Sequence, residues 1–300
     1  MKKTIVVLLT LAFVLSFSSC KKNGKLSGNT KLIPEGTNAI AEINFSDFMK
    51  LDKVKKEITK EGKKFIKATG IKPSDVKSLT LFATVDKLRN LERKPDFGVL
   101  INGSGFSKDM FKNLPNGVKK LEYAGSTIFS DNGFGFALAG KTLIGGTVEN
   151  TKKILDLSKG KGKSANIKEF SAIFAKLKAS SAKAAIIMPE STKKDLGKMA
   201  GMTPVPGVGT VLQNLEVLAV GANVSSSSIE IKLVLKSDSK AVKTLVDGLK
   251  PMLKMFGAKA AEMDKGVPGA KEAFDSIKLE ADGAYLKASV KIPAKMLDKM

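Results

Sequence analysis

One cysteine, at position 20, and no histidine in 300 residues settle much of what this chain can become before any periodicity is considered. No intramolecular disulfide can form, and the usual zinc sites built from paired Cys and His are out of reach. Without such staples the chain must hold itself together by burying apolar surface, and its 43% hydrophobic content is enough for one large domain or two ordinary ones. The same deficit removes chemistry. Ser-His-Asp and Cys-His catalysis need an imidazole, and no side chain is left that titrates near neutral pH by default. An enzyme built on this chain would have to work with Lys, Asp, Glu, Ser or Tyr alone. Glu122 and Asp131 fall on expected surface strands, with no carboxylate placed to act as a general acid.

Cys20 also closes a recognisable leader. Lys2 and Lys3 precede an apolar run from Ile5 to Phe17, interrupted by Thr10 and Ser16. That run is shorter than the ~20 residues a spanning helix needs and reads as a targeting segment. Ser18 and Ser19 then lead into Cys20, and Lys21, Lys22, Asn23 and Gly24 begin a polar tether. The arrangement resembles a bacterial lipobox. Phe17, three positions before the cysteine, departs from the usual Leu, Val or Ile and fits the looser spirochaete-type pattern. The resemblance implies a signal peptide over 1–19 and acyl chains of the palmitate type on Cys20. It also implies a protein held on its membrane at ~0.8 kcal/mol per buried methylene. Lys21 in place of Asp implies the outer membrane, on either its periplasmic or its surface side. The alternative is an ordinary secretory leader cut after Ser18, with Ser16 and Ser18 as the small pair.

Beyond a tether over 20–32, apolar periodicity divides the chain into 33–160 and 161–300. A strand is expected over Ala39 to Phe45. A helix capped by Ser46 or Asp47 follows, with Leu51, Val54, Ile58 and Phe65 on one side. Strands over Ser78 to Val85 and Phe97 to Asn102 come next, then a short helix capped by Ser107 and carrying Met110, Phe111 and Leu114. Leu121 to Ser130 and Phe134 to Thr147 read as antiparallel strands, and Val148 to Leu157 as a helix that ends at a Gly/Lys linker, Gly160 to Lys163. The second half repeats the theme. It has a helix over Ile167 to Leu177, strands at Ala184 to Met188, Leu215 to Val224 and Ile229 to Lys236, and a helix from Ser239 to Leu249. A hairpin about Asp282-Gly283 and a terminal helix over Ala294 to Met300 follow.

Phe97 to Leu114 matches Ile229 to Leu249, strand then helix, which suggests an internal duplication. The predicted class is therefore α+β, with two related halves, each an antiparallel sheet backed by helices in a ferredoxin-like split βαβ theme. With Pro34 and Ala39 forming a Pro-x-x-x-x-Ala strand motif, the mature part resembles uncharacterised duplicated α+β lipoproteins. That family lends no catalytic residues.

The remaining motifs point to surfaces rather than chemistry. Gly135 to Thr142 satisfies the G-x-x-x-x-G-K-T phosphate-loop pattern. However, Phe134, Phe136 and Leu138 alternate as a strand, and Leu143 onward stays extended, so no helix N-terminus would meet a phosphate. Ala139 to Lys141 reads instead as a hairpin turn, and no nucleotide, metal or other cofactor is expected. Apolar Gly- and Pro-bearing loops are expected over Gly197 to Thr210 and Gly257 to Gly269, where Met199, Met202, Val205 and Val208 suit contact with a lipid or a ligand.

Charge is the unusual quantity. Lys+Arg 51 against Asp+Glu 29 gives +22, and removing a leader that holds Lys2 and Lys3 leaves +20. Arg89 and Arg93 are the arginines, so the surplus is lysine, a compact charge ill-suited to bidentate reading of bases, and sequence-specific nucleic-acid binding is not expected. Lys53, Lys55, Lys56, Lys60, Lys63 and Lys64 share the polar side of the first helix with Glu57 and Glu61. They form either a solvated face or a contact for a polyanion, anionic lipid or acidic protein. The expected function is non-enzymatic: a membrane-anchored binding or envelope-structural module. A carrier of an apolar small molecule in a cleft between the halves is the alternative, and a His-free enzyme comes third.

Overall fold

The computed structural model describes residues 26, 29–49, 71–85, 96–112, 114, 117–179, 181–200, 207–225, 227–264 and 267–297. Cys20, the leader and the lysines expected on the first helix lie outside these residues. The described chain divides into two compact units, one between Leu26 and Glu169 and the other from Phe170 onward.

In the first unit, β1 (Ala39–Asn44) runs into a single helical turn, α1 (Phe45–Phe48). Then come β2 (Val76–Thr84), β3 (Asp96–Gly103), β4 (Lys119–Tyr123), β5 (Ser126–Asp131), β6 (Phe134–Ala139), β7 (Thr142–Thr147) and α2 (Val148–Ser158). The strands lie in the order β1-β2-β3-β7-β6-β5-β4, each antiparallel to its neighbour. Alternation sends Leu100, Ile128, Ala137 and Ile144 to one face, where they are fully buried on the side of α2 and its Ile154 and Leu155. Thr147 caps α2 by accepting the Asn150 N–H at 3.2 Å, and Thr151 donates its hydroxyl to the Gly135 carbonyl at 3.1 Å. Gly98 is there for space: a Cβ on it would stand 2.2 Å from the Phe82 ring. On the opposite face Phe111 stacks on Phe129 at 4.4 Å between centroids, beside Ile71 and Leu143.

The second unit opens with α3 (Lys168–Leu177), β8 (Ala182–Ile187), α4 (Glu190–Ala200) and α5 (Val208–Gln213). It continues through β9 (Val217–Ser225), β10 (Ser228–Lys236), α6 (Ser239–Met263) and α7 (Ala270–Asp275). β11 (Lys278–Asp282), β12 (Tyr285–Pro293) and α8 (Ala294–Leu297) complete it. Its strand order is β8-β9-β10-β12-β11, again antiparallel throughout. Asp238 caps α6 by accepting the Ala241 N–H at 2.8 Å. The first turns of the helix bury Val242, Leu245 and Val246 with Leu233, Leu235 and Leu286 of the sheet.

Both units thus share one connectivity. Three strands follow one another as neighbours, and the last strand of a later hairpin returns beside the third. The first unit adds the hairpin β4–β5 at its outer end. In a split βαβ theme a third strand lies between the two that a helix joins, whereas here successive strands β1-β2-β3 and β8-β9-β10 are direct antiparallel neighbours, so the ferredoxin-like arrangement is not seen. Four local expectations also change. The run Leu121 to Ser130 folds back on itself at Ala124-Gly125, whose φ angles of 49° and 71° make a left-handed turn. The helix expected after Ser107 is a 3-10 turn over Lys108–Phe111, and Ser107 makes no capping bond. The apolar loop expected from Gly197 is helical at both ends, in α4 and α5, with 201–206 outside the described residues. Gly257 to Met263 is likewise no loop: α6 runs 25 residues, straight through Pro251.

Candidate functional site

The second unit presents a charged sheet face. Alternation puts Glu230, Lys232 and Lys236 of β10, Tyr285, Lys287, Ser289 and Lys291 of β12, and Lys278, Glu280 and Asp282 of β11 on one side. The register then sets Glu230 opposite Lys291, and Lys287 opposite Glu280. Asp282 accepts from Lys287 at 2.7 Å and from Lys176 of α3 at 3.1 Å, and Lys176 also lies 4.2 Å over the Tyr285 ring. Lys287 and Lys176 together hold the Asp282 carboxyl below the usual carboxylate range. At Glu230 burial pushes the carboxyl up, but the Asn223 amide at 3.0 Å and Lys232 at 3.1 Å outweigh it and lower it overall. Lys236 pairs with Glu216. Much of the lysine on this face is therefore matched by its own carboxylates, which leaves little to draw in a polyanion.

A shallow depression in the same unit is lined by Glu190, Lys193, Lys194, Gln213, Asn214, Glu216 and Asp238. It is open and polar. Lys193 bonds Glu190 at 2.5 Å, and Asp238 is committed to capping α6. Such a lining suits neither an apolar cargo nor proton transfer.

The third feature is apolar. After Leu249 the core stripe of α6 continues as Met252, Met255 and Phe256, but these point outward, Met255 at 71% exposure and Phe256 at 45%. The cause is support from below. From Leu253 on, the helix rests on α7, with Gly257 against Phe274 and Ala260 buried. That contact uses one side and leaves the stripe at 252, 255 and 256 open. Lys250 and Lys254, both exposed, lie on the other side of the helix, about 160° around from the stripe at 3.6 residues per turn, and Lys250 sits 3.6 Å from Asp247. Asp264 ends α6 and accepts the N–H groups of Lys271 and Gly269, which lowers its carboxyl and fixes α7 beneath the helix.

The shifted titratable groups share a direction. Besides the lowered carboxylates, Tyr123 is raised by donating its hydroxyl to Asp156 at 2.7 Å, and Lys295 is raised by Glu272. Every shifted group moves away from neutrality, opposite to what a general acid or base requires. Among the described residues no group of three His, Cys, Asp or Glu could hold a metal. Glu122 and Asp131 do not converge: Glu122 accepts from Thr127 and Asp131 from Asn132. The phosphate-loop pattern lies on the β6–β7 hairpin, with Gly140 at φ 60° in its turn and Thr142 opening β7. Cys20, Lys53, Lys56, Lys60, Lys63 and Lys64 fall outside the described residues. Met252, Met255 and Phe256 were not singled out from sequence, although their i, i+3, i+4 spacing was visible there; the expected apolar stripe ended at Leu249.

No protein-family model matches the sequence, and no curated protein matches it. Solved structures do. Crystal form III of TP0453, a Treponema lipoprotein, superimposes with a TM-score of 0.53 over 91% of this chain and 97% of that one, at 10% identity. Crystal form I gives 0.50 over 91% and 96%, at 9% identity. At such identities the likeness shows a shared α+β fold. Among the described residues no helix is long and apolar enough to cross a membrane.

Proposed function

We propose that this chain is a non-enzymatic binding module of the cell envelope, held on the outer membrane by lipid on Cys20, whose α6 stripe rests on an anionic lipid surface. The observation that carries the reading is the group Met252, Met255 and Phe256 facing solvent on one side of α6. Large apolar side chains grouped on one helix face are what an interfacial helix offers a bilayer. The charge surplus of +20 on the mature chain draws the whole module toward the same headgroups. The spirochaete-type lipobox and the fold shared with a Treponema lipoprotein support the anchor. The common connectivity of the two units supports descent by duplication. Cys20→Ala is the test of the anchor. The protein then moves from the membrane fraction to the soluble one; retention there would mean that something other than acyl chains holds it.

A further inference from the structure

β4 is the outermost strand of the first unit, paired on one side with β5 and, among the described residues, with no strand on the other. Its side chains from Lys119 to Glu122 are all exposed, so neither of its faces is covered there. Leu121, at 39% exposure, is one of the few large apolar residues on the described surface. Which backbone groups face the open edge follows from the hairpin. The two-residue turn Ala124-Gly125 closes on Tyr123 and Ser126 as a hydrogen-bonded pair, and bonding alternates from there. Tyr123, Leu121 and Lys119 therefore bond to β5, and the N–H and C=O groups of Lys120 and Glu122 point outward.

These two residues complement one another. In an antiparallel pairing of β4 with β4 of a second copy, Lys120 exchanges both backbone hydrogen bonds with the other chain's Glu122, and Glu122 with its Lys120. Leu121 then meets Leu121 on the two-fold axis as a non-hydrogen-bonded pair, the closer type, while Lys119 lies opposite Tyr123. Lysine on an edge strand ordinarily blocks such pairing because like charges meet; here the register sets a carboxylate opposite each Lys120. Leu121 also lies in the same cross-strand row as the fully buried Ile128 and Ala137, so the contact extends an existing core row across the axis. β11, the outer strand of the second unit, behaves oppositely. Its two-residue turn points Leu279 and Ala281 outward and puts Glu280 on the axis, carboxylate against carboxylate.

We infer that β4 is a self-association edge: two copies of this chain join β4 to β4 in a closed two-fold dimer with Leu121 on the axis. The test is disulfide trapping in the full chain with Cys20→Ser. Leu121→Cys places two cysteines on the axis within the Cα separation a disulfide accepts. Lys120→Cys leaves its two copies about 8 Å apart, from ~3.3 Å rise per residue and ~4.8 Å strand spacing, beyond bridging range. Lys120→Cys chains mixed with Glu122→Cys chains are again within reach. Expected are covalent dimers from Leu121→Cys and from the mixture, and none from Lys120→Cys alone. Cross-linking of Lys120→Cys to itself, or equal rates at 120 and 121, overturns the inference. In sedimentation equilibrium Lys120→Glu weakens the dimer about tenfold by facing two carboxylate pairs, and adding Glu122→Lys restores it. Failure of the double variant to recover overturns the register.

Discussion

Replacing Met255 and Phe256 by glutamate asks whether α6 meets a lipid surface. The exposed fractions of Met252, Met255 and Phe256 are 36%, 71% and 45%. Together they leave about one and a half apolar side chains in water, worth roughly 2–4 kcal/mol on transfer at 1.5–3 kcal/mol per side chain. The lysine surplus of the module as a whole adds a long-range attraction to anionic headgroups. Met255 and Phe256 hold most of the apolar share, so Met255→Glu/Phe256→Glu loses about 2–3 kcal/mol, or roughly 30- to 150-fold in partitioning. The assay is sedimentation with vesicles of anionic and of zwitterionic lipid, using the Cys20→Ser chain so that no acyl chain contributes. Raising salt shortens the Debye length from ~8 Å at 0.15 M to ~3 Å at 1 M, which strips the lysine contribution and leaves the apolar one. The double variant should melt within about 0.5 kcal/mol of the parent, since both positions are exposed. Equal partitioning of parent and variant into anionic vesicles would refute the reasoning.

Gly98→Ala pushes a methyl into the Phe82 ring and should cost about 1–3 kcal/mol, read as a lower urea midpoint at unchanged slope. Asp238→Ala and Thr147→Ala each remove a helix N-cap and should cost about 1 kcal/mol. The carboxyls of Asp282, Glu230 and Asp264 are all lowered on folding, so the unfolded chain binds more protons than the folded one at mildly acid pH. Their stabilisation is complete above the ordinary carboxylate values of 3.8 for Asp and 4.5 for Glu, and is lost as pH falls through the lower folded ones. The melting temperature should therefore drop below about pH 4.5, and Asp282→Asn should make that drop shallower; an unchanged profile would mean that the Lys287 and Lys176 contacts do not persist in solution.

The sheet was legible because its strands advertise themselves. Ala39–Asn44, Val76–Thr84 and Ser228–Lys236 alternate or run apolar, and Asp282-Gly283 marks a hairpin. What failed was local in origin. Ala124-Gly125 carries no Asn-Gly or Asp-Gly signal, so two strands were read as one. A loop was expected over Gly257 to Gly269, yet the contact of Gly257 with Phe274 and the capping of α7 by Asp264 hold the helix together from outside its own sequence. Propensity is overridden there by packing. The same override hid the exposed stripe, since Met252 and Phe256 continue the apolar spacing of Leu245 and Leu249 and look like core until the sheet beneath them ends. Cys20 and the lysines of 53–64, by contrast, rest on sequence reasoning alone.

The two proposed contacts are separable because net charge acts on them with opposite sign. A module of +20 is drawn to anionic headgroups, so salt weakens α6 at the bilayer. Two such modules repel, since each carries the same surplus of lysine. Salt relieves that long-range repulsion more than it costs the two Lys120–Glu122 contacts, since the strands are also joined by backbone hydrogen bonds and by Leu121 on the opposite face. Moderate salt should therefore favour β4 pairing while it releases the chain from vesicles. On a membrane the order reverses: headgroups neutralise the basic surface and confine the copies to two dimensions, which lowers the cost of meeting. The proposed lipid on Cys20 would then do more than retain the protein. It would supply the concentration and the counter-charge that a five-residue edge contact lacks in free solution.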